Sequence, residues 1–179
     1  VQYVLTATGA TSAIDGLLRT DGITYTGVET LDLALGTGDD VLNVRGTTAT
    51  TNVDLGAGDD RVYVSSIADV RLDGRPDALG GVLDDLRGTI NLQLGAGHHT
   101  LLVSDQASTA GDEDVLVTDR ITAARDRDAA VADWAEIAML GLAAGALSYA
   151  ADGGDFSGGI RVWLGAGDDH LRLDGAFRR

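Results

Sequence analysis

The sequence contains no cysteine and no lysine, proline occurs once, and aromatic residues make up 4% of it. Without cysteine there is neither a disulfide framework nor a thiolate metal site. No run of 18 apolar residues occurs, and the opening VQYVLTATG is neither a signal peptide nor a membrane span, so membrane insertion is not expected. A first residue of Val suggests a processed chain or a fragment cut from a longer one. The formal net charge of −15 argues against nucleic acid and anionic membrane surfaces, which would repel the chain.

What is present is a chain of 179 residues, enough for one domain with a core, and 44% of it is hydrophobic, which argues against disorder despite the acidity. All 13 basic residues are Arg, and all but three of the 28 acidic ones (Glu29, Glu113 and Glu136) are Asp. Asp competes with the helical backbone and favours caps and turns. Beside 25 glycines, this points to many tight turns. It also suits oxygen-rich calcium sites, where short carboxylates and backbone carbonyls share a cation.

One phrase recurs four times: LALGTGDDVLNV from Leu33, VDLGAGDDRVYV from Val53, LQLGAGHHTLLV from Leu92 and VWLGAGDDHLRL from Val162. Its first glycines, Gly36, Gly56, Gly95 and Gly165, are separated by 20, 39 and 70 residues. A unit of this size, repeated, is the signature of stacked repeats. A longer echo lies over it. VLTATGATSAIDGL from Val4 resembles the stretch from Val115, and ITYTGVETLDLALGTGDD resembles ALSYAADGGDFSGGIRVWLGAGDD. The chain thus reads as one long module and the start of a second, as in a tandem array.

Leu31, Leu33 and Leu35 alternate with Asp32 and Ala34 before the glycines, and Leu42 and Val44 alternate with Val41 and Asn43 after them. Period-two alternation marks strands with one buried face, and the G-x-G between them supplies a sharp corner. The expected fold is all-β: a right-handed parallel β-helix, or β-solenoid, with coils of about 20 residues and one helical insertion. It is expected as a single domain over residues 1–179. Further strands are expected near Gln2–Ala7, Ile23–Thr26, Val70–Leu72, Thr89–Leu94, Val115–Thr118 and Ala146–Tyr149. The Ala-rich stretch at about 122–142 carries Val131, Trp134, Ile137 and Leu140 at helical spacing, with Asp126 or Asp128 as cap, and predicts an amphipathic helix. A loop insertion is expected at about 73–88, around the only proline.

Stacked strands lie about 4.8 Å apart, so Asp39 and Asp40 should sit beneath Asp59 and Asp60. Four such carboxylates repel unless protons or a cation intervene. By parity Asp40, Asp60 and Asp169 should point inward with Leu42, Val62 and Leu171, leaving Asp39, Asp59 and Asp168 outside. The candidate metal ligands are therefore Asp39, Asp40, Asp59, Asp60, Asp168 and Asp169, with calcium as the cofactor; solvated turns are the other reading of these corners. In the third phrase His98 and His99 replace the Asp pair and point to opposite sides, a degenerate corner. The acidic loop offers a further set in Asp105, Asp112 and Asp114.

These corners resemble the hemolysin-type (RTX-like) calcium-binding nonapeptide G-G-x-G-x-D-x-U-x, where U is apolar. GTGDDVL, GAGDDRV and GAGDDHL match from its second glycine, with Asp40, Asp60 and Asp169 at the Asp position. Leu35, Leu55 and Leu164 replace its first glycine, and the period is not nine. The resemblance implies a calcium-binding structural repeat module of a large bacterial protein, secreted or displayed on the cell surface.

An enzyme is not expected. The Asp pairs recur in near-identical copies, whereas a catalytic site normally occurs once, and neither a phosphate loop nor HExxH is present. Strand-like ends without polar caps predict end-to-end stacking with neighbouring modules or with a second copy. The alternative function is a calcium-dependent adhesin that binds cell-surface glycans through an exterior face bearing Tyr63 and Trp163, with Leu102 as another exterior apolar residue.

Overall fold

A computed structural model describes residues 2–8, 11–15, 23–112 and 114–175. The described elements are β1 (Gln2–Thr8), β2 (Thr11–Asp15), β3 (Ile23–Thr26), β4 (Thr30–Ala34), β5 (Val41–Val44), β6 (Thr50–Gly56), β7 (Arg61–Val64), β8 (Ile90–Leu94), β9 (His98–Ser104), β10 (Val115–Thr118), α1 (Ile121–Arg127), β11 (Ile137–Leu140), β12 (Leu147–Ala151), β13 (Asp155–Trp163) and β14 (Leu171–Asp174). They form two seven-stranded sheets, ordered β13-β9-β7-β5-β1-β2-β3 and β14-β10-β11-β12-β8-β6-β4. In the first sheet, five strands from β13 to β1 run parallel, and β2 and β3 complete an antiparallel meander. In the second, β4, β6, β8 and β12 are parallel, β11 is antiparallel to both β12 and β10, and β14 is parallel to β10.

The alternation read in the repeated phrase is what brings the sheets face to face. Leu42 and Val44, Val62 and Val64, and Leu101 and Val103 of the first sheet share one buried cluster with Val53 and Leu55, Leu92 and Leu94, and Leu147 and Tyr149 of the second. Each outer face has its own cover. Residues 65–88 fold over the first sheet, where Ala68 and Val70 pack on Val41, Tyr63 and Leu102. Over the second sheet, α1 and the segment behind it bury Ala124, Val131 and Ala135 against Leu116, Ala138 and Leu140.

This arrangement overturns the expectation of a single right-handed parallel β-helix with 20-residue coils. Both sheets are mixed, because the meanders β1-β2-β3 and β10-β11-β12 interrupt the parallel succession. The 20-residue step holds for one turn of the chain, from β4 and β5 to β6 and β7, and the next steps are 39 and 57 residues. The helical insertion over 122–142 is corrected as well. Only Ile121–Arg127 is helical, and Asp128 follows it in extended conformation at the C-cap. Ile137–Leu140 is instead a strand buried on both faces, between β10 and β12. A strand covered on both faces shows no alternation, so a short apolar run of this kind mimics a helix face. Val70–Leu72 forms no strand; it lies in the covering loop. That cover removes two exterior residues from the surface, since Tyr63 and Leu102 are fully buried while Trp163 stays exposed.

Candidate metal centre

The first three Gly-x-Gly corners cross from the second sheet to the first, β4 to β5, β6 to β7 and β8 to β9, and they stack as a column. Contact between them is backbone to backbone: Gly38 N–H donates to Ala57 O at 2.7 Å, and Gly58 N–H to Ala96 O at 2.9 Å. Gly56 has φ +75°, and a Cβ there would lie 1.6 Å from Gly36 O, so only glycine permits this approach.

The column sorts each acidic pair by side. Asp39 and Asp59 are exposed, whereas Asp40 and Asp60 are 3% and 0% exposed and His99 is 0% exposed. Two hydrogen-bond ladders result. On the outside, the Asp59 N–H donates to Asp39 Oδ1 at 2.9 Å and the His98 N–H to Asp59 Oδ1 at 2.8 Å. On the inside the direction reverses: the Asp40 N–H donates to Asp60 Oδ1 at 3.0 Å, and the Asp60 N–H to His99 Nδ1 at 3.3 Å. Because Nδ1 accepts, the ring proton sits on Nε2 and is donated to Gly95 O at 2.8 Å. The ring of Phe156 meets the His99 ring edge-on, with centroids 5.9 Å apart. His99 thus holds the Asp60 backbone in place at the level where the acidic pair ends.

Asp60 is the strained member. Its Oδ2 is buried without a hydrogen bond, with the unprotonated His99 Nδ1 3.5 Å away. Burial pushes the Asp60 carboxyl up to about 7, and the negative charges of Asp40, Asp39 and Asp59 add to the rise against the opposing hydrogen bond from the Asp40 backbone. A buried carboxylate in this setting calls for a proton or a cation.

A fourth level of the column escaped the sequence reading. Ala151–Asp155 turns from β12 to β13, 57 residues after the His98 corner, and Asp155 Oδ1 meets His98 Nδ1 at 3.0 Å. Ser157 and His98 hold the Asp155 carboxyl well below the usual range, and the Asp155 hydrogen bond raises His98. The signal was the ADGGD string at residues 151–155, a Gly-Asp corner in altered order.

Asp168 and Asp169 are not part of this column. Their corner crosses in the opposite sense, from β13 in the first sheet to β14 in the second. It stacks on the loop before β10, with the Asp112 N–H donating to Asp169 Oδ1 at 3.0 Å and the His170 N–H to Asp112 O at 2.9 Å. Both acidic residues there are exposed, unlike the buried Asp40 and Asp60. Of the acidic loop, burial raises Asp105 and Asp112, with Asp169 adding to both. Asp105 Oδ1 accepts the Leu83 N–H at 2.7 Å, whereas Asp114 pairs with Arg127. Among the described residues, no three His, Asp or Glu side chains converge as a ready-made metal cluster.

No protein-family model matches this chain, and no curated protein and no solved structure matches it either.

Proposed function

We propose that the chain is a structural, calcium-binding repeat module of a bacterial extracellular or cell-surface protein, stacking end to end with calcium stabilising the fold or the assembly. The observation that carries this reading is the buried Asp40–Asp60 level, where Asp60 Oδ2 has no hydrogen-bond partner and burial disfavours its charge. Calcium takes six to eight oxygens, so the two carboxylates would hold it together with backbone carbonyls of the glycine corners. Its charge would offset the repulsion within the column. Asp39 and Asp59 face solvent and contribute to the field there, while Asp168 and Asp169 would form a separate and weaker site. The resemblance of GTGDDVL and GAGDDRV to calcium-binding nonapeptides supports the same chemistry and the secreted location. The glycan-binding alternative loses its basis, because Tyr63 is buried and the Trp163 Nε1–H is already donated to Asp77 O.

Calorimetry in calcium, in magnesium and in chelator tests the reading. A ligand that binds only the folded state raises the melting temperature by mass action. A rise with calcium and none with magnesium is expected. Identical melting in calcium and chelator would make the corners plain turns.

A further inference from the structure

We propose that a second copy of this chain docks end to end by adding its β3 to the free edge of β13 and its β4 to the free edge of β14, extending both sheets at once. This rests on the modular reading above and specifies its junction. Among the described residues the two sheets carry equal numbers of strands, seven each, and end in β13 and β14 on one side and in β3 and β4 on the other. A copy displaced by seven strand spacings, about 34 Å, therefore continues both sheets in a single translation. Strand direction permits it. β3 runs parallel to β1 and hence to β13, and β4 runs parallel to β12, β10 and β14, so both new pairs are parallel.

The molecule contains its own precedent. The meander β1-β2-β3 and the meander β10-β11-β12 are built alike, each with a parallel partner on its first strand, β5 for β1 and β14 for β10. The edge that β3 leaves open is filled on its counterpart β12 by parallel β8, and the open edge of β4 is filled on its counterpart β13 by parallel β9. Tyr149 of β12 is fully buried in consequence, whereas Tyr25 at the matching place in β3 is only partly so.

Side chains fit the same register. Leu171 and Leu173 share the inner face with Val115 and Val117, yet are 42% and 67% exposed. Beside Leu31-Asp32-Leu33 of β4, the Leu171-Arg172-Leu173 sequence of β14 sets leucine against leucine on the inner face and Arg172 against Asp32 on the outer. Asp32 already accepts Asn52 Nδ2 from its other neighbour. Beside β13 the core opens into a cleft of about 760 Å³, lined by Ile121, Ile137, Tyr149, Phe156 and Ile160. Ile23 and Tyr25 of an incoming β3 would close it.

Two end-blocking variants test the joint, L173K at one end and I23K at the other, both at exposed positions. Mass by sedimentation velocity, in chelator and in calcium, is the readout, with melting as the folding control. The native chain is expected to grow in multiples of 18.4 kDa with concentration, and each variant alone to stay monomeric. An equimolar mixture of the two should stop at the dimer, since only one pair of ends remains compatible. R172D should block association, and R172D with D32R should restore it. A native chain that stays monomeric at its highest soluble concentration overturns the proposal. So does a blocked variant that associates as the native chain does, or a mixture that stays monomeric. Association in chelator with no calcium effect on melting leaves the joint standing and removes calcium. A calcium-dependent melting shift in a strictly monomeric chain does the reverse.

Discussion

Replacing Asp60 by Asn removes one charge while keeping the shape of the inner ladder. Asn Oδ1 can still accept the Asp40 N–H, which Asp60 Oδ1 accepts at 3.0 Å, and the neutral amide leaves no charge to bury. The carboxyl moves from 3.8 to about 7 on folding, a free-energy difference of roughly 4 kcal/mol. Its sign is that of a raised acid. The folded state keeps the proton where the unfolded chain has lost it, so the stabilising contribution is intact below about pH 4 and is lost as pH rises through about 7. In chelator at pH 8, Asp60→Asn should therefore be more stable than the native chain by up to about 4 kcal/mol, a melting rise of roughly 8–16 °C for a domain of this size. At pH 4 the two should melt within a few degrees of each other. Added calcium should raise the native chain and leave the variant where it was. Calorimetry at the two pH values, with and without calcium, reads all of this. A variant less stable than the native chain at pH 8 in chelator would refute the argument, because the native carboxylate would then be compensated by groups already in the fold.

Three further outcomes follow from other parts of the molecule. Gly56→Ala should cost more than about 3 kcal/mol in denaturant melts, through its positive φ and the collision with Gly36 O, whereas Gly36→Ala, with open space around it, should cost only the backbone strain of about 1–3 kcal/mol. Equal costs would contradict the backbone stacking of the corners. Asn91, buried on the outer face of the second sheet, donates to Asn52 Oδ1 and Ala130 O and accepts from the Ala132 N–H and Ser148 Oγ. Asn91→Leu should lose about 3 kcal/mol or more and expose residues 128–135 to proteolysis, since several buried partners are orphaned together. By NMR, His98 should titrate above an ordinary histidine and fall in Asp155→Asn; no change on that substitution would deny the fourth level of the column.

The parts of the fold legible in the sequence are those set by local chemistry. Alternation around LALGTGDDVLNV located β4 and β5, and parity separated Asp39 from Asp40 and Asp59 from Asp60 as the burial does. What was not legible depends on neighbours distant in sequence. Ile137–Leu140 is a strand because β10 and β12 flank it, and nothing in four consecutive apolar residues distinguishes that from a helix face. Tyr63 and Leu102 have the parity of exterior residues and are exterior to their sheet, yet a loop arriving from residues 65–88 covers them.

The fourth phrase carries the sharpest lesson for sites. VWLGAGDDHLRL is as close to the repeat as any copy, and its acidic pair is exposed on the far side of the molecule from the column its copies build. A corner acquires its chemistry from the level stacked on it. Asp60 is buried because Asp40 lies on one side and His99 on the other, whereas Asp169 accepts the Asp112 N–H at an exposed position. The motif by itself therefore specifies a turn. If calcium acts here, Asp60→Asn should abolish its effect on melting, whereas Asp169→Asn should leave most of that effect in place; the opposite order would move the centre to the second corner.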